Sequence, residues 1–462
     1  MGGIGMVYRV VLFLLTMGGA LRATDPCELT ADVAETLKRC IPGIQVAPAV
    51  PNTPDPGRTY LDIRFPQATD HGSPAAGAFS QRLVLAHRGY DEPLVLQTSG
   101  YSIFRIAPAM LTRAFDSNQL QVEHRFFENS SPSPKDWSKL EIRQAAADFH
   151  AITVAFKRVY RKNWVGTGAS KGGMTSIYHR RFYPADLDGT VADVAPLSFS
   201  TADDRYVRFV EEVGGAKFAA CRAAMEALQA YLLRRREHFQ STLTGTFTLL
   251  GGKDLAFEHA VLEFPFFFWQ YHQPNDDATG CHRIPGENSP DKDVLEFLAK
   301  INPLDENYGD AGMLRFLPYY FQAATELGSP ALKRPHLEGL LKHPFSIDQY
   351  APKGVEYEYS NTAMLDVAAW VERHGRGMML IYGEYDPWTA GAFPKACGDD
   401  CLWATVTEGN HRANLFQLPL AEKSKALARV SRWLGKAPIP PPNAQEQSLE
   451  DTEREIRSRL RL

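Results

Sequence analysis

The chain has 462 residues, 44% of them hydrophobic and 23% charged, with 50 Lys and Arg against 54 Asp and Glu and a formal net charge of −4. That length supports a large core and two packed units. The near balance of charge argues against a polyanion-binding chain, so neither nucleic acid nor an anionic membrane is expected as a partner.

The first segment reads as an address. Arg9 precedes the apolar run "VVLFLLTMGGALRA", which closes on small residues and is too short to span a bilayer. Residues 1–23 are therefore expected to be a signal peptide, cleaved after Ala20 or Ala23, rather than a buried strand, and the mature protein to be secreted or periplasmic. The six cysteines fit an oxidising compartment: Cys27, Cys40, Cys221, Cys281, Cys397 and Cys401 form no C-x-x-C pair and no zinc spacing. Proximity along the chain favours Cys27–Cys40 and Cys397–Cys401, which leaves Cys221–Cys281. No metal or cofactor is expected.

Residues 24–59 form a proline-rich lead, predicted to run extended along the body. From Tyr60 the pattern becomes short β-type runs, "YLDIRF", "FSQRLVLAH" and "EPLVLQTSG", alternating at first and then continuously apolar as in mid-sheet strands. "DWSKLEIRQAAADFHAITVAFKRVY" predicts one long helix, and a strand over Asn163 to Thr167 runs into "NWVGTGASKGGMTSIYH". Strand, helix, strand, glycine turn and helix is the rhythm of an α/β parallel sheet, assigned to residues 60–198. Residues 199–354 lose it: "RYVRFVEEV", "ACRAAMEALQAYLLRRREHF", "VLEFLAKI" and "MLRFLPYYFQAATEL" predict a helical cap inserted over the sheet. The sheet resumes over 355–435 with helix "NTAMLDVAAWVERHG", strands "GMMLIYGEYD" and "LWATVTEG", and a last helix near Ala421 to Trp433. Residues 436–462 are a proline-rich, then charged, tail.

The glycine-rich stretch is out of register for phosphate. A Walker loop beginning at Gly166 needs glycine where Lys171 stands, and so does a dinucleotide fingerprint on Gly166 and Gly168. What fits is G-x-S-x-G over Gly168 to Gly172, a sharp strand-to-helix turn that raises Ser170 above the sheet and aims the Lys171 N–H at a developing oxyanion. A serine nucleophile needs a base, and the base an orienting carboxylate, on loops after later strands. Asp386 in "LIYGEYDPW" and His411 in "TVTEGNHRANL" stand there in the required order, with Glu384 and Glu408 as competing acids. A second oxyanion donor is expected from the loop ending "LVLQTSGYS", at Gly100 or Tyr101.

At these residues the chain resembles the prolyl tri/tetrapeptidyl aminopeptidases, secreted serine exopeptidases, and more distantly the lysosomal Pro-Xaa carboxypeptidases. The likeness is carried by "GASKGGMTSIYHRRFYPADLDGTVADVAP", "VEHRFFENSSPSPKDWSKLEIRQAAADFHAI", "FPFFFWQY", "GEYDPW" and "GNHRANL". It implies an α/β-hydrolase core with a helical cap, a nucleophile at Ser170, an acid at Asp386, a base at His411, and peptide substrates with a free N-terminus. Counting an exopeptidase's residues needs a carboxylate about 10 Å from the nucleophile, the reach of three extended residues. Glu123 in "VEHRFF" is the candidate, against a structural ion pair with Arg125 or Arg143. Phe267, Phe268, Trp269 and Trp388 are candidates for an aromatic slot that takes proline at P1, against plain core packing. An esterase or lipase with the same triad, and a non-catalytic secreted binding protein on the same fold, are the alternatives.

Overall fold

The computed structural model describes residues 27–53, 55–395, 398 and 400–439. The predicted signal peptide, most of the predicted tail and Cys397 lie outside the described residues.

Alternation of apolar and polar residues pairs the first strands edge to edge. β1 (Gln45–Pro48) lies antiparallel on β2 (Thr59–Ala68), and β2 zips antiparallel onto β3 (Ala78–His87), with Thr59 opposite His87 and Ala68 opposite Ala78. The proline-rich lead thus carries a strand. It also carries a helix, Val33–Cys40, capped by Asp32 and tied back by the Cys27–Cys40 disulfide. β4 (Leu94–Thr98), β5 (Asn118–Val122), β6 (Trp164–Ala169), β7 (Gly189–Asp193), β8 (Met378–Gly383) and β9 (Leu402–Val406) complete a nine-stranded sheet. Its order is β1-β2-β3-β5-β4-β6-β7-β8-β9, parallel from β5 to β9.

The parallel part is covered on both faces, so its strands run apolar without a break. β8 shows how one strand feeds both layers. Met378, Leu380 and Tyr382 meet Ile177 of helix Lys171–Phe182 and Val367 and Val371 of helix Thr362–His374. Met379 and Ile381 meet Val430 and Trp433 of helix Leu420–Leu434 on the other side. The long helix predicted over "DWSKL…RVY" is divided into a short turn, Trp137–Lys139, and helix Ile142–Phe156.

Between β7 and β8 the described chain contributes helices and no named strand. These helices build a second core of their own around Phe257, Phe264, Phe268, Trp269 and Phe297. The Cys221–Cys281 disulfide, with its Cα atoms 5.1 Å apart, fastens helix Ala219–Arg234 to the turn Cys281–Arg283. Helix Lys253–Tyr271 forms the floor of this layer and contains Pro265. Proline removes the backbone donor that would reach the Val261 carbonyl. Gln229 supplies the missing donor, its Nε2 lying 2.6 Å from that oxygen, and the helix continues.

Candidate active site

The chain passes from β4 to β5 on one side and returns to β6 on the other. The strand order therefore reverses at β4, and a crevice opens at the carboxyl ends of β4 and β6, where open α/β sheets place their ligands. Ser170 leaves β6 at φ +55° and ψ −127°, a backbone conformation that a non-glycine residue holds only when its surroundings over-determine it. They do so here. The Ser170 N–H donates to the Asp193 carbonyl at 2.9 Å, and the turn is packed backbone on backbone. A Cβ on Gly168 would lie 2.4 Å from Gly172, and one on Gly172 would lie 2.4 Å from the Thr98 carbonyl. Only glycine fits at either place.

The β4 loop comes up against this turn. A Cβ on Gly100, itself at φ +72°, would sit 2.5 Å from the Gly172 nitrogen. The Lys171 side chain runs back under the loop and donates from Nζ to the Gly100 carbonyl at 2.8 Å, between the rings of Tyr101 and Phe127. Burial pushes the Lys171 ammonium down to about 7, with the charge of Glu326 pulling the other way. Lys171 and Tyr101 line the crevice, and neither backbone N–H has a partner among the described residues. Gly100 itself is not on the crevice wall.

Across the sheet, Asp386 follows β8 and His411 follows β9. Asp386 is fully buried; its Oδ2 is 2.7 Å from His411 Nδ1, and its Oδ1 accepts the Trp388 N–H at 3.1 Å. His411 is anchored by its own N–H, which donates to the Gln270 carbonyl at the end of helix Lys253–Tyr271. Its Nε2 has no hydrogen-bond partner among the described residues, and it shares with Ser170 the wall of one cavity of about 460 Å³. Glu384 instead accepts the Glu408 N–H, and Glu408 pairs with Lys217 at 2.6 Å, so neither reaches His411. A hydroxyl on a strained turn, an imidazole held through Nδ1 by a buried carboxylate, and two free N–H groups beside the hydroxyl are equipped for acyl transfer.

The substrate-side residues divide differently. Phe267 and Trp388 line the cavity, whereas Phe268 and Trp269 face away and are fully buried in the core of the helical layer, where Trp269 meets Phe218 and Tyr385. Glu123 does not reach the cavity. Its two oxygens accept the Ile103 N–H and the Ser130 hydroxyl, with Arg82 4.0 Å away, and burial raises its pKa. Arg125, its suggested partner, is bound to Asp148.

Among the carboxylates that do line the cavity is Glu263, a residue the sequence reading passed over. It belongs to a helical face of Glu263, Phe266, Phe267, Gln270 and Tyr271, all on the cavity wall at the i, i+3, i+4, i+7, i+8 spacing of one helix side. That spacing was present in "EFPFFFWQY". Pro265 in its middle concealed it.

Strand order, the elbow after β6, and an acid and a histidine after β8 and β9 together define an α/β-hydrolase. The chain belongs to the PS-10 peptidase S37 family, which it matches over residues 29–451, and is a serine peptidase. It is 39% identical over 444 residues, 91% of this chain and 90% of the other, to a prolyl tri/tetrapeptidyl aminopeptidase of Streptomyces mobaraensis. It is 28% identical over 165 residues, 32% of each chain, to a thymus-specific serine protease of Homo sapiens. A solved proline iminopeptidase of Mycobacterium smegmatis overlaps 80% of this chain and 97% of its own at 12% identity and a TM-score of 0.36, too remote to bear on function.

Proposed function

We propose that this serine peptidase is a secreted exopeptidase that releases tri- or tetrapeptides, preferably ending in proline, from free N-termini. The observation that carries the reading is the shared cavity. Ser170 and His411 open into a chamber walled by the helical layer, with a volume suited to a short peptide end. The named aminopeptidase relative supports the same substrate class. Secretion is supported by the two disulfides and by the address-like first 23 residues.

In the proposed route His411 Nε2 takes the Ser170 proton as Oγ attacks the carbonyl carbon of the P1 residue. The Lys171 and Tyr101 N–H groups hold the oxyanion, and Asp386 fixes the tautomer and balances the imidazolium. The imidazolium gives its proton to the leaving amine as the C–N bond breaks. Water then attacks the acyl ester, losing a proton to His411, and Ser170 recovers its hydrogen as the peptide leaves. Phe267 and Trp388 offer flat apolar surface to a proline ring beside this centre.

The test sets a free-amine Ala-Ala-Pro chromogenic amide beside its N-acetyl form and a simple ester. Fast turnover of the free amide alone supports the reading. Equal turnover of free and blocked amides overturns the exopeptidase claim, and ester-only turnover points to an esterase. N-terminal sequencing of the exported protein checks the address, with Leu21 or Thr24 as the expected first residue.

A further inference from the structure

An exopeptidase of this kind must distinguish the charged end of its substrate, and the cavity wall offers two carboxylates among the residues lining it, Asp193 and Glu263. Asp193 sits at the root of the nucleophile, its carbonyl accepting the Ser170 N–H, which leaves no room for intervening substrate residues. Glu263 stands elsewhere. An aromatic wall leads to it from the oxyanion loop: Tyr101 to Tyr319 at 5.9 Å between ring centroids, Tyr319 to Tyr320 at 5.6 Å, and Tyr320 to Tyr350 at 4.9 Å. Taken end to end these three steps outrun the roughly 10 Å reach of three extended residues, so the wall gives the direction of the site from the oxyanion loop and not its distance.

At the end of that wall Glu263 Oε2 accepts the Tyr308 hydroxyl at 2.7 Å, and Oε1 lies 3.4 Å from the Tyr350 hydroxyl. The Tyr308 hydroxyl is held in turn by Asn302 at 3.0 Å. Two other carboxylates in the interior have an evident structural duty: Glu258 binds Arg236, and Asp148 binds Arg125. Glu263 forms no salt bridge among the described residues. We propose that Glu263, framed by Tyr308 and Tyr350, is the anchor for the substrate's terminal ammonium and so sets where the peptide is cut. The assignment rests on the exopeptidase reading above.

The chemistry suits a cation. Burial pushes the Glu263 carboxyl up to about 7, against the pull of the two hydroxyls and of the more distant Arg334. An ammonium beside it stabilises the ionised form. A neutral, acylated N-terminus brings the bulk without the charge and leaves a buried carboxylate unpaired.

The decisive experiment measures kcat and KM for Ala-Ala-Pro amide and for its desamino analogue, in which hydrogen replaces the amine, using wild type and Glu263→Gln. Wild type should lose about 100-fold in kcat/KM when the amine is removed, mostly in KM. Glu263→Gln should lose a similar factor on the amine substrate, lose almost nothing further on the desamino one, and still label with fluorophosphonate. If wild type turns over both peptides equally, the exopeptidase reading fails. If wild type discriminates and Glu263→Gln discriminates equally well, the reading stands and the Glu263 assignment is wrong. Should Glu263→Gln not label with fluorophosphonate, Tyr308→Phe carries the test: it keeps the carboxylate and loses one donor. Discrimination weakened but present supports the anchor, and unchanged discrimination overturns it.

Discussion

At the carboxyl ends of β4 and β6 the protein is packed backbone against backbone; on the facing wall of the same cavity it is packed ring against ring. In the first region Gly168 and Gly172 leave no space for a methyl group, and Ser170 is held at φ +55° by what surrounds it. In the second, Phe266, Phe267, Tyr271, Tyr319 and Tyr320 come from two helices separated by nearly forty residues. The difference teaches where chemistry and selectivity reside. Bond cleavage needs one geometry and is built from parts that cannot move. Selection needs a shaped, partly apolar surface, and is built from side chains whose identity can change without disturbing the sheet. Substitutions on the elbow side should therefore act on kcat, and those on the wall should act on KM and on the choice of substrate.

The largest effect belongs to Ser170→Ala. Removing the nucleophile should cut peptide turnover by roughly 10⁶-fold and abolish fluorophosphonate labelling, while thermal unfolding shifts little. A variant that still labels would place the nucleophile elsewhere. Gly172→Ala comes next. Its Cβ would have to displace the Thr98 carbonyl from 2.4 Å, shifting the elbow and lowering kcat by about 100-fold, since misplacement of about 1 Å costs that much. Unchanged kcat in this variant would break the contrast between the two regions at its rigid end.

The two regions also differ in how much of them could be read without coordinates. An elbow is a local object, and five consecutive residues carry its glycine spacing. Asp386 and His411 were equally accessible because each follows an apolar strand directly. β5 was not, since "NQLQV" contains three amides and looks like a loop. In the fold two of those amides are buried and paired: Asn118 donates to the Gly89 carbonyl at 2.8 Å, and Gln119 accepts the Ala109 N–H at 2.6 Å. The wall was the least legible. Choosing Phe267 over its neighbours Phe268 and Trp269 requires knowing that the segment is one helix, and Pro265 speaks against that until Gln229 is seen to satisfy the freed carbonyl. Glu123 looked attractive because a charged residue in a distinctive motif invites a functional role, yet its surroundings make it a bracket for the Ile103 loop.

On the wall side, Phe267→Ala should weaken binding of proline at P1 by about 10-fold in KM with kcat nearly constant, in line with losing the burial of one large apolar side chain. Comparing Ala-Ala-Pro and Ala-Ala-Ala amides isolates the effect. A fall in kcat alone would mean that the wall shapes the catalytic geometry and that the two regions are not separable.

The smallest effect, Lys171→Met, tests the joint between them. Lys171 is buried with its Nζ on the Gly100 carbonyl; the charged group that bears on it is Glu326, while burial holds the neighbouring His124 well below its usual value and so neutral. Removing that hydrogen bond loosens the loop carrying the Tyr101 N–H, so kcat should fall a few-fold, about the worth of one hydrogen bond, with KM unchanged. Its effect on stability has a definite sign. Burial brings the folded-state value down to about 7 from 10.5, so between these limits the unfolded chain binds the proton that the folded chain has lost. Stability therefore carries a penalty below about 7 that is relieved as pH rises toward 10.5. Glu326, raised to about 8 from 4.5, acts oppositely, but over a window that closes near pH 8. Denaturant titrations from pH 8.5 to 10 isolate the lysine: stability should climb in wild type relative to Lys171→Met, and parallel curves would show that the amine is not buried as its surroundings indicate.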